Sequence, residues 1–208
     1  LRPSRNGDLI NLHTIKNVLL VYALTAATLM PVSAQGQNPI ATAHTEVGFL
    51  TGYGITHRDF GATRTQVQTW DAIVRAGFFL SDEIGKGEWY QGRHQFVAEL
   101  PYHLAVDHDG RSMTGFYMLG HWRFTSHDKI APYVFAGGGP MYVDLGLPSM
   151  GSRLCFSYQA GTGVQYFINS TTAVDFQYRY HHISNGDIAD RNEPLNSSKI
   201  LFGMAYYY

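Results

Sequence analysis

The chain has 208 residues, a formal net charge of −1, 45% hydrophobic and only 15% charged residues, with 14 Tyr, 12 Phe and 22 Gly. The near-neutral charge gives no basic footprint and so excludes a nucleic-acid partner, and the aromatic and glycine content favours strands over helices. The length allows one domain, or one and a half.

Residues 1–34 read as a signal peptide rather than fold. Arg2, Arg5 and Lys16 make a positive start, Val18 to Met30 is apolar with Thr as its only polar type, and Val32-Ser33-Ala34 is a small-residue cleavage site. The apolar run is short for a spanning helix; an uncleaved anchor is the other reading. Residues 35–208 are then the barrel domain derived below. The single cysteine, Cys155, permits no internal disulfide. Closure must come from elsewhere, and a barrel without sheet edges supplies it.

Eight alternating segments follow a Pro-containing linker. In the first, Thr45, Val47, Phe49, Thr51, Tyr53 and Ile55 oppose Glu46, Gly48, Leu50, Gly52 and Gly54. The second sets Trp70, Ala72, Val74, Ala76, Phe78 and Leu80 against Thr69, Asp71, Ile73, Arg75 and Gly77. The third sets Phe96, Ala98, Leu100, Tyr102, Leu104 and Val106 against Gln95, Glu99, His103 and Asp107. The fourth sets Phe116, Met118, Trp122 and Phe124 against Gly115, Tyr117, His121 and Arg123. The fifth spans about Ile130 to Asp144, with Tyr133 and Phe135 on its apolar face and Gly137-Gly138-Gly139-Pro140 as a bend or bulge. In the sixth, Leu154, Phe156, Tyr158, Ala160, Val164, Tyr166 and Ile168 oppose Arg153, Ser157, Gln159, Gly161, Gly163 and Gln165. The seventh carries Val174, Phe176, Tyr178, Tyr180, His182 and Ser184 opposite Asp175, Gln177, Arg179 and His181. The eighth places Ile200, Phe202, Met204, Tyr206 and Tyr208 opposite Lys199, Leu201, Gly203 and Ala205. Turn-forming residues separate the segments, as at Ser81-Asp82, Asp109-Gly110 and Asn169-Ser170.

Segments of about ten residues, apolar on one face and polar or Gly on the other, are the pattern of a transmembrane β-barrel. The fold expected is therefore an all-β, eight-stranded antiparallel barrel in a bacterial outer membrane. Its interior is just filled by side chains, so no channel is expected. Arg75, Glu99, Arg123, Arg153, Asp175, Arg179 and Lys199 are expected to form an interior ionic network. A soluble lipocalin-like barrel is the competing fold, but it would turn these charges and many aromatics to the wet side.

With a periplasmic N-terminus, odd strands run outward. His182 and Ser184 then lie at the cell-surface end of strand seven and face lipid, and Asn196 joins them from strand eight. A Ser hydroxyl needs a base to become a nucleophile. Histidine is the natural one near neutral pH, and positions i and i+2 lie within reach of each other. A third group must fix the imidazole tautomer. Asn196 can accept that hydrogen bond.

On "YRYHHISNGDIADRNEPLNS" (residues 178–197), with "APYVFAGGGPMYVD" as a middle strand, the chain resembles the lipid A 3-O-deacylase (PagL, acyloxyacyl hydrolase) family of outer-membrane barrels. The resemblance implies His182 as base, Ser184 as nucleophile, and the Asn185 side chain with loop N–H groups such as that of Gly186 as oxyanion donors. The family's third triad residue is a Glu, whose place falls on Asn196; Glu193 is the alternative. Its oxyanion glycine falls on Asp187, one residue after Gly186.

His103, His121 and His181 read as interior network members and not metal ligands; His57, His94, His108 and His127 read as rim residues. Cys155 reads as a packed thiol, and Gly137–Gly139 is not a phosphate loop. The expected activity is cofactor-free and metal-free hydrolysis of a 3-O-linked acyl ester on lipid A, the partners being lipopolysaccharide and outer-membrane lipid. The rivals are a non-catalytic barrel serving adhesion or membrane integrity, and an acyltransferase. Oligomeric state, including a homodimer, is left open.

Overall fold

The computed structural model describes residues 39–208; the signal-peptide reading of residues 1–34 lies outside them. The described chain forms β1 (Thr45–Thr56), β2 (Gln68–Phe79), β3 (Gly92–Ala105), β4 (Ser112–Gly115 and Tyr117–Phe124), β5 (Ile130–Asp144), β6 (Leu154–Phe167), β7 (Thr172–Ser184) and β8 (Leu195–Tyr207). The two parts of β4 keep one register against β3 and β5, so they are one strand interrupted at Phe116. Each strand pairs antiparallel with the next, and β8 pairs with β1 to close an eight-stranded barrel.

The alternation is inverted relative to a soluble protein. Leu100 is 61% exposed while its neighbour Glu99 is fully buried, and Phe202 is 52% exposed beside Leu201 and Lys199, both buried. Val47, Phe49, Val74, Phe78, Met118, Val134, Tyr158, Phe176 and Ile200 extend the outward apolar band around the wall. A continuous apolar surface of this extent is stable only against lipid or another apolar face.

The interior is filled by paired charges. Glu46 meets Arg75 at 2.6 Å and Arg123 at 2.8 Å, and Arg75 also bonds Asp175. Arg179 grips Glu99 with two bonds, at 2.7 and 2.9 Å. Asp71 takes Lys199 and His103, each at 2.7 Å. His181 joins through Tyr117 and Ser157. Removing one partner of such a pair strands a buried charge, which is strongly destabilising. The enclosed gap beside His181 is only ≈ 10 Å³.

Both mouths are stoppered. At the terminus end, the short 3₁₀ turn Pro39–Ala41 tucks Ile40 among Ala131, Phe167, Ala173, Ala205 and Tyr207, and Arg93 donates to the Ile40 and Ala43 carbonyls at 2.6 and 2.8 Å. At the opposite end, Val67, Met113, Leu145, Met150, Ile183 and Leu195 pack into an apolar cap.

Four expectations are corrected. Tyr133 and Phe135 point into the barrel, not to lipid; Val134 and Ile130 face out. The interior accepts these aromatics because Arg123 lies 4.2 Å over the Tyr133 ring, Arg179 lies 5.0 Å over Phe135, and His121 stacks on both rings. Gly137–Gly139 is no bulge: β5 keeps one register with β4 and β6 throughout. Glycine is needed there because the neighbouring backbones come close; a Cβ on Gly138 would lie 1.9 Å from the Ser157 carbonyl oxygen. Arg153 lies outside the network. It sits before β6 with its side chain 65% exposed and pairs with Asp144 at 3.4 Å. Asp107 lies beyond β3 in a loop, where it accepts the Gln68 N–H at 3.0 Å.

Candidate active site on the outer wall

The outward face of β7 ends in Tyr180, His182 and Ser184. In register, His182 lies between Tyr158 of β6 and Asn196 of β8, and Ser184 lies beside Phe156. The strand parity therefore brings the predicted base, hydroxyl and orienting amide to one patch of the outer surface, at the rim away from the chain's C-terminal residue.

Asn196 is held hard. Its Nδ2 donates to Thr63 Oγ1 at 2.8 Å and to the Phe60 carbonyl at 3.3 Å. Its Oδ1 accepts the Tyr180 hydroxyl at 2.7 Å and lies 2.7 Å from His182 Nδ1. The Phe60 carbonyl can only accept, so the amide nitrogen must face it. Oδ1 then faces His182, and Nδ1 is the protonated ring nitrogen. The lone pair is left on Nε2, the tautomer a general base requires. The Tyr158 ring, 6.2 Å away between centroids, flanks the imidazole on its other side.

Ser184 is half-buried at the last position of β7. Among the described residues, neither its hydroxyl nor His182 Nε2 has a hydrogen-bond partner. The two groups share a face, two residues apart, and no direct bond joins them.

The turn after Ser184 differs from expectation at Asn185. Its side chain points inward and is committed: Nδ2 donates to the Met150 and Arg191 carbonyls at 2.8 and 2.6 Å, and Oδ1 accepts the Asp187 N–H at 2.8 Å. Odd parity puts it on the interior side, where it staples two loops; its carboxamide is not a free oxyanion donor here. Gly186 keeps its N–H without a partner among the described residues, above the Phe156 ring. Asp187 adopts φ 62°, the left-handed conformation a glycine would favour and that Asp tolerates better than most residues. The Asp-for-Gly departure thus leaves the backbone path open.

Glu193 does not approach His182 as a partner. Its carboxylate accepts the Arg64 and Thr65 N–H groups at 2.8 and 2.7 Å. Burial alone would push its pKa up, but the Ser149 hydroxyl and those two amides outweigh burial and hold it below the usual value. Of the two orienting candidates, Asn196 is the one bonded to the imidazole.

Below this patch the wall is concave. Met118, Ala136, Gly138, Pro140, Ala160 and Tyr180 line an apolar groove of ≈ 710 Å³, which reaches Phe156 and Tyr158, the cross-strand neighbours of Ser184 and His182. Tyr180 and Tyr158 belong to the expected outward set, but alternation alone does not reveal their contacts with the site. Thr63 and Phe60 reach it from the β1–β2 loop, a long-range approach that no local pattern encodes. Among the described residues, no cluster of His, Cys, Asp and Glu has the makings of a metal site.

The sequence model of the lipid A 3-O-deacylase (PagL) family matches residues 59–205. Among curated proteins, none matches this chain. Several solved structures share the fold. Neisserial surface protein A (NspA) aligns with a TM-score of 0.58 at 15% identity, covering 84% of this chain and 100% of that one. The outer membrane enzyme PagL aligns with a TM-score of 0.52 at 18% identity, covering 76% of this chain and 97% of that one. The chain belongs to the lipid A 3-O-deacylase (PagL) family, and its barrel resides in the outer membrane.

Proposed function

We propose that this protein is an ester hydrolase that removes a 3-O-linked fatty acyl chain from lipid A through a Ser184/His182 mechanism. The observation that carries the reading is the bond between His182 Nδ1 and Asn196 Oδ1 at 2.7 Å, which leaves Nε2 basic beside an unpartnered serine hydroxyl. Polar groups turned toward lipid are costly unless they are used.

In the reaction, Ser184 Oγ attacks the ester carbonyl carbon while His182 Nε2 takes its proton. The Gly186 N–H donates to the oxyanion. The tetrahedral intermediate collapses, and the imidazolium returns the proton to the departing sugar hydroxyl. Water, deprotonated by the same Nε2, then attacks the acyl-enzyme and releases the fatty acid. Asn196 holds Nδ1–H throughout; being neutral, it orients the ring without balancing the imidazolium charge. The acyl chain lies in the groove along Ala136, Gly138 and Ala160. No metal or cofactor enters any step.

The test uses purified protein and lipid A in detergent micelles, with released hydroxy fatty acid quantified by gas chromatography. Wild type should release it; Ser184→Ala and His182→Ala should not, while keeping the folded barrel's heat-dependent gel mobility. No release by the folded wild type would instead favour a non-catalytic barrel, in which these groups are a polar rim.

A further inference from the structure

A second polar cluster lies on the same outer wall and takes no part in the chemistry above. Ser198 is two residues down β8 from Asn196, on the same face. His57 Nε2 lies 2.8 Å from its hydroxyl, and the Tyr178 hydroxyl lies 2.8 Å from it on the other side. Two strands and a loop thus contribute: β7 gives Tyr178, β8 gives Ser198, and His57 is the first residue after β1. The Phe60 ring packs edge-on against both His57 and Tyr180, tying this cluster to the candidate active site.

A hydrogen-bonded Ser/His pair invites a reading as a second nucleophile. The backbone argues against it. Ser198 sits within the ladder, in register with Tyr180 on one side and Ile55 on the other. The surrounding N–H groups serve the sheet, so no oxyanion donor is at hand. Binding asks for less. The three side chains of the cluster, with His57 neutral, carry three polar hydrogens, and its two internal bonds use two. If the chain runs Tyr178 to Ser198 to His57, the His57 Nδ1–H is left over; if it runs the other way, the Tyr178 O–H is; if both neighbours donate to Ser198, its own O–H is. In every arrangement one donor remains for an acceptor from the lipid side.

The position selects the acceptor. From Asn196 to Ser198 is roughly 6.7 Å along the strand, away from the rim and into the membrane. His57 lies about two strand spacings, or roughly 10 Å, to the side of His182. The sugar of a glycolipid whose ester sits at Ser184 lies at the rim. What lies deeper and to the side is the carbonyl of a neighbouring acyl chain. We propose that His57, Ser198 and Tyr178 form a subsite that holds the amide or ester carbonyl of a second acyl chain on the same substrate molecule. This rests on the esterase reading and adds to it a preference for multi-chain lipids over single-chain esters.

The test compares lipid A with p-nitrophenyl decanoate, both in micelles with the full protein. Ser198→Ala deletes the hydroxyl that ties His57 to Tyr178, so neither leftover donor is held in place, and Tyr178→Phe deletes one end of the cluster. Each should raise KM for lipid A about 3- to 10-fold, with kcat unchanged and both constants for the single-chain ester unaltered. Ser198→Thr, which keeps the hydroxyl, should restore KM. Equal loss on both substrates, or no change on lipid A, overturns the subsite. If wild type hydrolyses neither substrate, the esterase reading falls by itself. Native mass spectrometry of lipid A bound to Ser184→Ala and to Ser184→Ala/Ser198→Ala then decides. Retention by the first and loss by the second supports the subsite; equal retention, or none by either, overturns it.

Discussion

Asn196→Asp separates the two things a triad's third member can do, which are to orient the imidazole and to balance its charge. Aspartate has the shape of asparagine, so Oδ1 can still accept from His182 Nδ1 and from the Tyr180 hydroxyl, both at 2.7 Å in the wild type. With a carboxylate the bond to the ring becomes charge-assisted as the imidazolium forms, which strengthens it about twofold. A gain of about 1 kcal/mol in the transition state is about 5-fold in kcat. The cost falls on the other side of the residue. The second carboxylate oxygen replaces Nδ2 and faces the Phe60 carbonyl, which lies 3.3 Å from Nδ2 in the wild type. Thr63, which donates to the Pro194 carbonyl at 2.9 Å, must give up that bond to satisfy the new acceptor. The loss is about 1–3 kcal/mol of stability. The variant should therefore turn over faster and unfold more readily. Asn196→Ala loses the orienting bond as well and should fall at least about 10-fold in kcat. Initial rates of fatty acid release, paired with heat-dependent gel mobility in detergent, read both quantities. Asn196→Ala with a wild-type kcat in a folded barrel would refute the orienting role.

Other outcomes follow from the barrel itself. Glu99→Gln leaves the Arg179 guanidinium without its two-bond carboxylate partner and should cost about 3–5 kcal/mol, seen as a lower urea midpoint in micelles. Gly203→Ala would put a Cβ 1.8 Å from the Phe49 carbonyl oxygen, in the β1–β8 pair that closes the barrel, whereas a Cβ on Gly120 meets nothing nearer than 4.0 Å. The first should fail to give the compact, heat-modifiable gel species, and Gly120→Ala should give it normally. Because the Glu193 pKa is lowered on folding, its contribution is complete above the ordinary glutamate value of about 4.3 and is lost as pH falls through the lower folded value. Hydrogen exchange should show the Arg64 and Thr65 amides protected in wild type relative to Glu193→Ala at pH near 6, with the difference gone well below pH 4.

The sequence was most legible where one face carried charge and the other did not. On β2 and β7, Arg75 and Arg179 mark the interior and so phase every neighbour by two-residue alternation. This phasing placed His182, Ser184 and Asn196 on one outer patch. It failed on β5, where the inward residues Tyr133 and Phe135 are aromatic. Polarity says nothing about which way a ring faces when arginines inside offer it cation–π contacts. The triple glycine is ambiguous for a related reason, since a bulge and a close backbone approach both demand glycine. Arg153 has inward parity but sits just before β6; its carbonyl still accepts the Val143 N–H at 2.8 Å, while its side chain turns outward to Asp144. At the site, parity also hints that Asn185 faces inward, opposite to an oxyanion donor for Ser184. The grip of Thr63 and Phe60 on Asn196 crosses more than a hundred residues of chain and leaves no local mark.

On the proposed reading, Ser184, oriented toward lipid beside His182, removes one acyl chain from lipid A. Mass spectrometry of lipid A from bacteria expressing the wild type or Ser184→Ala tests it most directly. A species lighter by one hydroxyacyl chain should appear with the wild type alone. Identical spectra from cells with both barrels assembled in the outer membrane would contradict it, as would a gain in mass.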